Sequence, residues 1–568
     1  MCPSVKIAVS LQHPRERVLT FFFSHVYSFN PRFLCFNSMT KDLFAQEALN
    51  QIPKIIMLLD RNPHSPTYGC FDRNFWHYKI IDFPSGMAQE FVWPLALAYD
   101  TPAPNNPFYQ QETLRQWIEA ALLFTARAAH PDGSCDDYFP YERASGAAAF
   151  SLLACLESYV QLKLENYQIL RFLEKRADWL SSYQESGRLT NHQALIVLCL
   201  ERLGEILQTA KWEAAKQHRL EQVFAWQSSE GWFTEYEGCD PGYHTLTLSC
   251  LARLYQINPS DSLKTALIQG VELAGQFIHP DGSYGGEYTS RNTYNFFPHG
   301  FELIGSWFPD ALQINDQFLA GLKNGLIPCY ADDHIIGHHT WNYLLAWRDF
   351  VENRPAPKPR DPASIWLKEA QILIKRRPGV ELYIGLNKGG TFKLFRDEKL
   401  VISDTHLSLQ VRQGKQIKNA VSHLVGDYQV TVEPDEITIT GRMGWAKQTL
   451  MSPLKLMILR IVMVTVGRFF PNLIRKILQK MLITGKKPAP FQFTRKFRWQ
   501  EEQWEIIDQL EAKSWKDVVG AGIGGDQTSI YVVMSRTFHP SQLQPWLDLT
   551  PQIHQLQPGQ PLQIERKY

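Results

Sequence analysis

One turn sequence occurs twice in this chain with all five residues identical. His130-Pro131-Asp132-Gly133-Ser134 matches His279-Pro280-Asp281-Gly282-Ser283. Related turns, Glu185-Ser186-Gly187 and Ser229-Glu230-Gly231, lie between them, and Gly337 before His338-His339 reads as a further member. The glycines are spaced 44 to 55 residues apart. The intervals hold apolar segments with helical spacing, such as Ala147 to Leu162, Ala194 to Leu207 and Leu263 to Phe277. Two helices and two loops fill about fifty residues. A helix pair cannot bury its apolar face alone, so tandem pairs must stack or close into a ring. Together with Asp82-Phe83-Pro84-Ser85, the turns predict five or six hairpins over 45–350, an incomplete α/α toroid with its marked turns on one face. Loops on one face of a repeat scaffold are a usual place for function.

The pattern changes at Asn353-Arg354-Pro355-Ala356-Pro357-Lys358-Pro359-Arg360-Asp361-Pro362, which ends the helical region. A linker with a helix near 363–375 is expected over 351–378. From 379 to 568, segments such as Thr391 to Phe395, Tyr428 to Val432, Ile437 to Thr440 and Ser529 to Met534 have the near-alternating β-branched and aromatic pattern of an antiparallel β-sandwich. The fold class expected is a multidomain α+β chain. Residues 1–44 read as an extension, disordered or lying ahead of a start at Met39.

Nine cysteines are scattered without a CxxC pair, which argues against a zinc knuckle or disulfide framework. The N-terminus lacks the pattern of a secretory signal, so a reducing, cytoplasmic setting is expected. A net charge of +1 argues against a general nucleic-acid binder, but it hides an asymmetry. No acidic residue lies between Ile437 and Gln500, whereas 442–498 carry thirteen Lys and Arg, leaving about −12 on the remainder. Within this insert, cations alternate with Leu, Ile, Met, Val and Phe too often for a membrane span, which needs about 20 apolar residues. One or two basic amphipathic helices broken at Pro471 are expected. Arg468, Phe469, Phe470, Arg475, Lys476 and Lys480 would then meet an anionic membrane surface, peripherally on its inner face. The alternative is a helix packed on the protein's own sheet with its cations outward.

The chemistry-bearing stretch is Ser229-Glu230-Gly231-Trp232-Phe233-Thr234-Glu235, running on to Asp240-Pro241-Gly242-Tyr243-His244 at the mouth of an apolar helix. A phenol beside an imidazole suits proton transfer at a sugar. Two buried, satisfied polar residues are the plainer reading. Leu189-Thr190-Asn191-His192-Gln193 supplies an amide and a second imidazole, and Asn191 could equally cap a helix. With a toroid, linker and sandwich around them, these stretches resemble the heparinase II/III-like and alginate-lyase polysaccharide lyases. Here Glu230 replaces the family's usual Asp and Asp240 stands where Ser is common.

The resemblance implies β-elimination at a uronate in an acidic polysaccharide. Asn191 and His192 would hold the uronate carboxylate, and Tyr243 would act as acid and, on some substrates, as base. His299 is the first candidate for a separate base, followed by His244 and His339. Arg291, Asn292, Tyr294, Trp76, His77 and Glu235 are candidate substrate contacts. No cofactor is expected. The family sometimes carries a metal in the β-domain, but no ligand cluster indicates one here. A glycoside hydrolase remains open, since Asp136, Asp137, Glu235 and Glu237 are available as paired carboxylates. So do a uronyl C5-epimerase and a non-catalytic, membrane-associated factor in polysaccharide assembly. A triterpene cyclase is disfavoured by the lack of DxDD and DDxxD acids.

Overall fold

The computed structural model describes residues 5–8, 41–236, 238–330, 333–446, 450–479, 487–525, 535–537 and 546–568. Lys480, Glu237 and the expected strand Ser529 to Met534 lie outside these residues.

Among the described residues, thirteen α-helices precede the linker. They are α1 (Asp42–Leu58), α2 (Arg73–Trp76), α3 (Val92–Asp100), α4 (Glu112–Ala128), α5 (Ser145–Gln161), α6 (Tyr167–Ser182), α7 (Thr190–Leu207), α8 (Glu213–Ala225), α9 (Pro241–Ile257), α10 (Asp261–Ala274), α11 (Pro298–Gly305), α12 (Asp310–Lys323) and α13 (Asp333–Arg348). Helices α3, α5, α7, α9, α11 and α13 form an inner ring in which each packs on the next and α13 returns to α3. The toroid expected from the repeat is present, and its inner ring is complete. Burial explains the layering: α5 and α9 are buried on nearly every side, whereas outer helices α4 and α6 bury a single stripe.

The repeated turns have one geometry. Gly133, Gly231 and Gly282 each donate an amide hydrogen bond to the carbonyl three residues earlier, and all have φ near +90°. A Cβ at Gly282 would stand 2.4 Å from the Gln317 carbonyl oxygen on α12, and one at Gly231 2.5 Å from that of Gln269 on α10. The turns therefore require glycine twice over, for left-handed backbone and for close approach to the next outer helix. They lead into the N-terminal ends of the inner helices. Gly337 is not one of them: it lies within α13, against Phe91 and Glu90.

Two short hairpin strands, β2 (Thr234–Glu235) and β3 (Gly238–Cys239), precede α9, and β4 (Pro328–Tyr330) precedes α13. The expected helix at 363–375 is instead a β-hairpin of β5 (Ala363–Leu367) and β6 (Ile372–Arg377). Its connection, Lys368-Glu369-Ala370-Gln371, has helix-forming residues. Tertiary bonds override that propensity: the Glu369 and Ala370 amides donate to the Glu230 carboxylate in the toroid at 2.8 and 3.0 Å. With β7 (Val380–Gly385), β8 (Thr391–Arg396) and β9 (Lys399–Asp404) this hairpin makes a five-stranded antiparallel sheet. All six residues of β7 are buried, because this sheet lies between the toroid and a second sheet.

The second sheet contains β10 (Leu407–Gln413), β11 (Gln416–Val421), β12 (Gln429–Val432), β13 (Glu436–Trp445), β14 (Pro488–Gln500), β15 (Gln503–Ala512), β16 (Val518–Gly524), β18 (Trp546–Asp548) and β19 (Leu562–Lys567). β17 (Ser535–Thr537) pairs instead with β4 of the toroid. Val5–Ala8 forms β1, parallel beside β19, so part of the N-terminal extension is a strand rather than disordered chain. The insert is narrower than expected. β13 runs to Trp445 and β14 starts at Pro488, so only the excursion between them leaves the sheet. It carries α14 (Pro453–Val462), a π-helical turn Met463–Gly467 and α15 (Pro471–Gln479), with Pro471 opening the second helix as the sequence predicts. Among the described residues no helix is long and apolar enough to cross a membrane.

Candidate active site

The stretch around Tyr243 folds against the start of α7. Asp240 caps α9, its carboxylate accepting from the Gly242 and Tyr243 amides at 3.1 and 3.3 Å, with Pro241 in the first turn. Tyr243 thereby stands at the helix mouth. Strand β2 lies beside the N-terminus of α7, where the Thr190 hydroxyl donates to the Thr234 carbonyl. This places Glu235 over that helix end. Its carboxylate accepts from the Asn191 amide and from Asn191 Nδ2, both at 2.8 Å, and so caps α7 from outside the helix. Asn191 is not itself the cap, and its buried Oδ1 has no hydrogen-bond partner among the described residues.

Arg291 joins the two helix ends. Its guanidinium lies 3.3 Å from the Glu235 carboxylate and 3.3 Å from that of Asp240. It sits between two phenol rings, 4.7 Å from the Tyr236 centroid and 4.6 Å from that of Tyr243. Asn191, Glu235, Tyr243 and Arg291 thus form one cluster from three segments of chain. Burial pushes the Glu235 carboxyl up to about 7, with Arg291 and Asn191 pulling the other way.

His192 begins a second line of groups from the same helix end. Its Nδ1 is 2.6 Å from Glu185, which leaves Nε2 for a ligand, and its side chain is 18% exposed. Burial alone would lower its basicity, but the Glu185 charge and hydrogen bond outweigh that and hold it above the usual histidine value. Arg475 of α15 reaches across to Glu185 at 3.5 Å and Glu142 at 3.4 Å. Burial pushes Glu142 up to about 7, opposed by Arg475. The Tyr183 hydroxyl donates to Asn472 at 2.8 Å, and Arg460 pairs with Asp82. The insert therefore lies across the toroid's site face. Arg475, expected at a membrane, pairs with the protein's own carboxylates, and Arg468 stacks on Tyr141 at 5.4 Å.

Other sequence candidates fall elsewhere. His244 Nε2 donates to the Gly270 carbonyl at 2.8 Å in the seam with α10, and burial lowers it to about 4. His299 pairs with Asp349 at 2.8 Å at the far end of α13, also lowered to about 4 by burial. His339 stacks on Phe297 at 4.5 Å, and burial holds it well below the usual histidine value. None of the three joins the Tyr243 cluster. Tyr294 donates to Glu287 beneath Lys393, and Asn292 meets Lys388 at 3.5 Å, both against the sandwich. Trp76 donates to the Leu58 carbonyl at 2.8 Å, with exposed His77 edge-on beside it. Glu230 clamps the β5–β6 hairpin. Asp136 and Asp137 hold their own loop, the first accepting from the Tyr141 and Arg143 amides and the second from Ser85.

Sequence reasoning missed Glu185, Glu142, Arg475 and Tyr236 as neighbours of the site. It also missed His338, 2.5 Å from Glu90 and stacked on Phe150 at 3.9 Å, with His192 on the edge of the same ring. The only signal for Glu185 was its repeat turn. Among the described residues, no group of three or more His, Cys, Asp or Glu is arranged to hold a metal ion. A cavity of about 340 Å³ lined by Lys216, Glu221, Asn258 and Ser262 lies at the opposite end of α9 from Tyr243.

No protein-family model matches the sequence, and no curated protein sequence does. Solved structures do match. Streptomyces coelicolor A3 chondroitin AC lyase in complex with chondroitin sulphate superposes over 88% of this chain and 69% of its own, at 10% identity and a TM-score of 0.50. The fold is that of the toroid-and-sandwich lyases. Heparinase III covers 88% of this chain and 75% of its own at 13% identity and a TM-score of 0.48. Cellobiose 2-epimerase from Bacillus thermoamylovorans B4167 covers 55% of this chain and 99% of its own at 11% identity and a TM-score of 0.43. The resemblance read from the sequence therefore holds at the level of fold.

Proposed function

We propose that this protein is a polysaccharide lyase that cleaves a uronate-containing acidic polysaccharide by β-elimination. One observation carries the reading: Asn191, Tyr243 and Arg291 meet at one end of the toroid, where inner helices present their N-termini. Helix N-termini and buried cations favour an anionic substrate there. His192, its basicity raised by Glu185, and Arg291 would neutralise the uronate carboxylate, with Asn191 beside them. Neutralisation acidifies the C5 proton. The Tyr243 oxygen, as phenolate, takes that proton, the C5–H pair becomes the C4–C5 double bond, and the C4–O bond breaks. The same phenol then returns the proton to the leaving oxygen. Assigning both transfers to Tyr243 rests on the partners of His244, His299 and His339, which lie outside the cluster, and on the burial that lowers the basicity of all three.

A second reading is a glycoside hydrolase, favoured by two buried carboxyls, Glu142 and Glu235, both pushed up to about 7. One experiment separates them. The protein is screened against uronate polymers for the ultraviolet absorbance of an unsaturated product, and in ¹⁸O-water for solvent oxygen in the new ends. Absorbance without ¹⁸O supports the lyase, with Tyr243→Phe reducing turnover about 10²–10⁴-fold at unchanged fold. Cleavage with ¹⁸O uptake and no absorbance assigns the hydrolase, and wild-type turnover by Tyr243→Phe removes the phenol from the mechanism.

A further inference from the structure

The excursion between β13 and β14 has two unlike sides. Its inner side is pinned to the toroid by polar contacts, Arg460 to Asp82, Asn472 to Tyr183 and Gln184, and Arg475 to Glu142 and Glu185. Among its described residues only Met463, Gly467 and Ile474 are buried. Its outer side carries thirteen of the 25 exposed large hydrophobic residues of the described chain, packed into the stretch from Leu450 to Ile477. Phe469 and Phe470, at the bend between the helices, are 71% and 61% exposed. α14 has no buried residue. An apolar surface of this extent has no stable place in water and marks an interaction site.

We propose that the α14–α15 arm is a docking element for an anionic lipid bilayer, lying in the plane of the headgroups with its apolar side chains inserted. Charge complementarity selects this occupant. The arm belongs to the stretch without any acidic residue, and exposed Lys455, Arg468 and Lys476 flank the apolar side chains. Apolar insertion and cation contact with anionic headgroups act together in interfacial helices. An acidic polysaccharide would meet the cations but leave the hydrophobic residues in water. A second copy of the chain would set this surface, which has cations and no acid, against an identical one. The proposal is independent of turnover, so it stands or falls apart from the lyase reading.

The test is flotation of the full chain with vesicles of phosphatidylcholine alone and of phosphatidylcholine with one quarter phosphatidylglycerol. Wild type is expected to partition roughly tenfold or more better onto the anionic vesicles, with the preference lost in high salt. Phe469→Ser with Phe470→Ser should lose binding to both vesicle types, and Lys455→Gln with Lys476→Gln should lose only the anionic preference. All four positions are exposed, so circular dichroism should show the fold unchanged. Wild type that ignores anionic vesicles overturns the proposal, as does full binding by the Phe variant. So does a concentration-dependent dimer abolished by the Phe substitutions, which assigns the surface to a second copy. Retention on an acidic-polysaccharide matrix without vesicle binding assigns it to a sugar polymer.

Discussion

Arg291→Met tests the electrostatics of the cluster independently of any substrate. The guanidinium bridges two fully buried carboxyl groups at 3.3 Å each and fills the gap between two phenol rings. Removing one partner of a buried ion pair costs about 3–5 kcal/mol. Methionine recovers part of the ring contact. The loss should depend on pH, because Glu235 can escape by taking up a proton. In the wild type its carboxyl is pushed by burial to about 7, above the unfolded value. The folded state thus holds an extra proton between the two values, and stability falls as pH rises through that window and is flat above it. Without Arg291 the folded value rises further, so the variant keeps losing stability above pH 7. A tenfold change in the proton affinity of the carboxylate corresponds to about 1.4 kcal/mol. Comparing about pH 5.5 with about pH 8.5, the gap between variant and wild type should widen by about 2 kcal/mol. Urea unfolding followed by tryptophan fluorescence at both pH values measures it. A gap that is equal at the two pH values, or that narrows on going alkaline, refutes the coupling between Arg291 and Glu235.

Two further outcomes follow from the scaffold. Arg495 and Arg566 form a buried quartet with Asp404 and Asp508 in the sandwich, closed by contacts of 2.6 to 2.9 Å, and Asp508→Asn should destabilise it by about 3–5 kcal/mol in thermal unfolding. Burial would raise the Asp508 carboxyl, but the two guanidinium groups hold it below its usual value, so wild-type stability from it is present above about pH 4 and lost as pH falls through the folded value; a variant that keeps wild-type stability at neutral pH refutes the assignment. Gly282→Ala meets left-handed backbone and a carbonyl 2.4 Å from its new Cβ, so the toroid should lose more than about 1 kcal/mol, against no loss for the exposed, open Gly414→Asn.

The sequence by itself determined the repeat, and through it the toroid. The reason is local: each turn needs glycine at a left-handed position, and each helix carries its apolar stripe within a few residues. The same locality made the sandwich legible in near-alternating strands and placed Tyr243 at the mouth of α9, one cap after Asp240-Pro241. Locality also misled. Lys368 to Gln371 has the residues of a helix, yet the Glu230 carboxylate, 140 residues away in the chain, holds it as a turn. Gly337 looked like a repeat turn because a glycine in a helix and a glycine in a turn read alike. Only the tertiary structure decided who meets whom at the site. Glu235 caps α7 across 44 residues, Arg291 joins Glu235 across 56, and Arg475 reaches Glu185 across 290. Charge in the sequence marked Arg475 as a cation without an acid nearby. Its acids were on the toroid face, where folding alone could bring them.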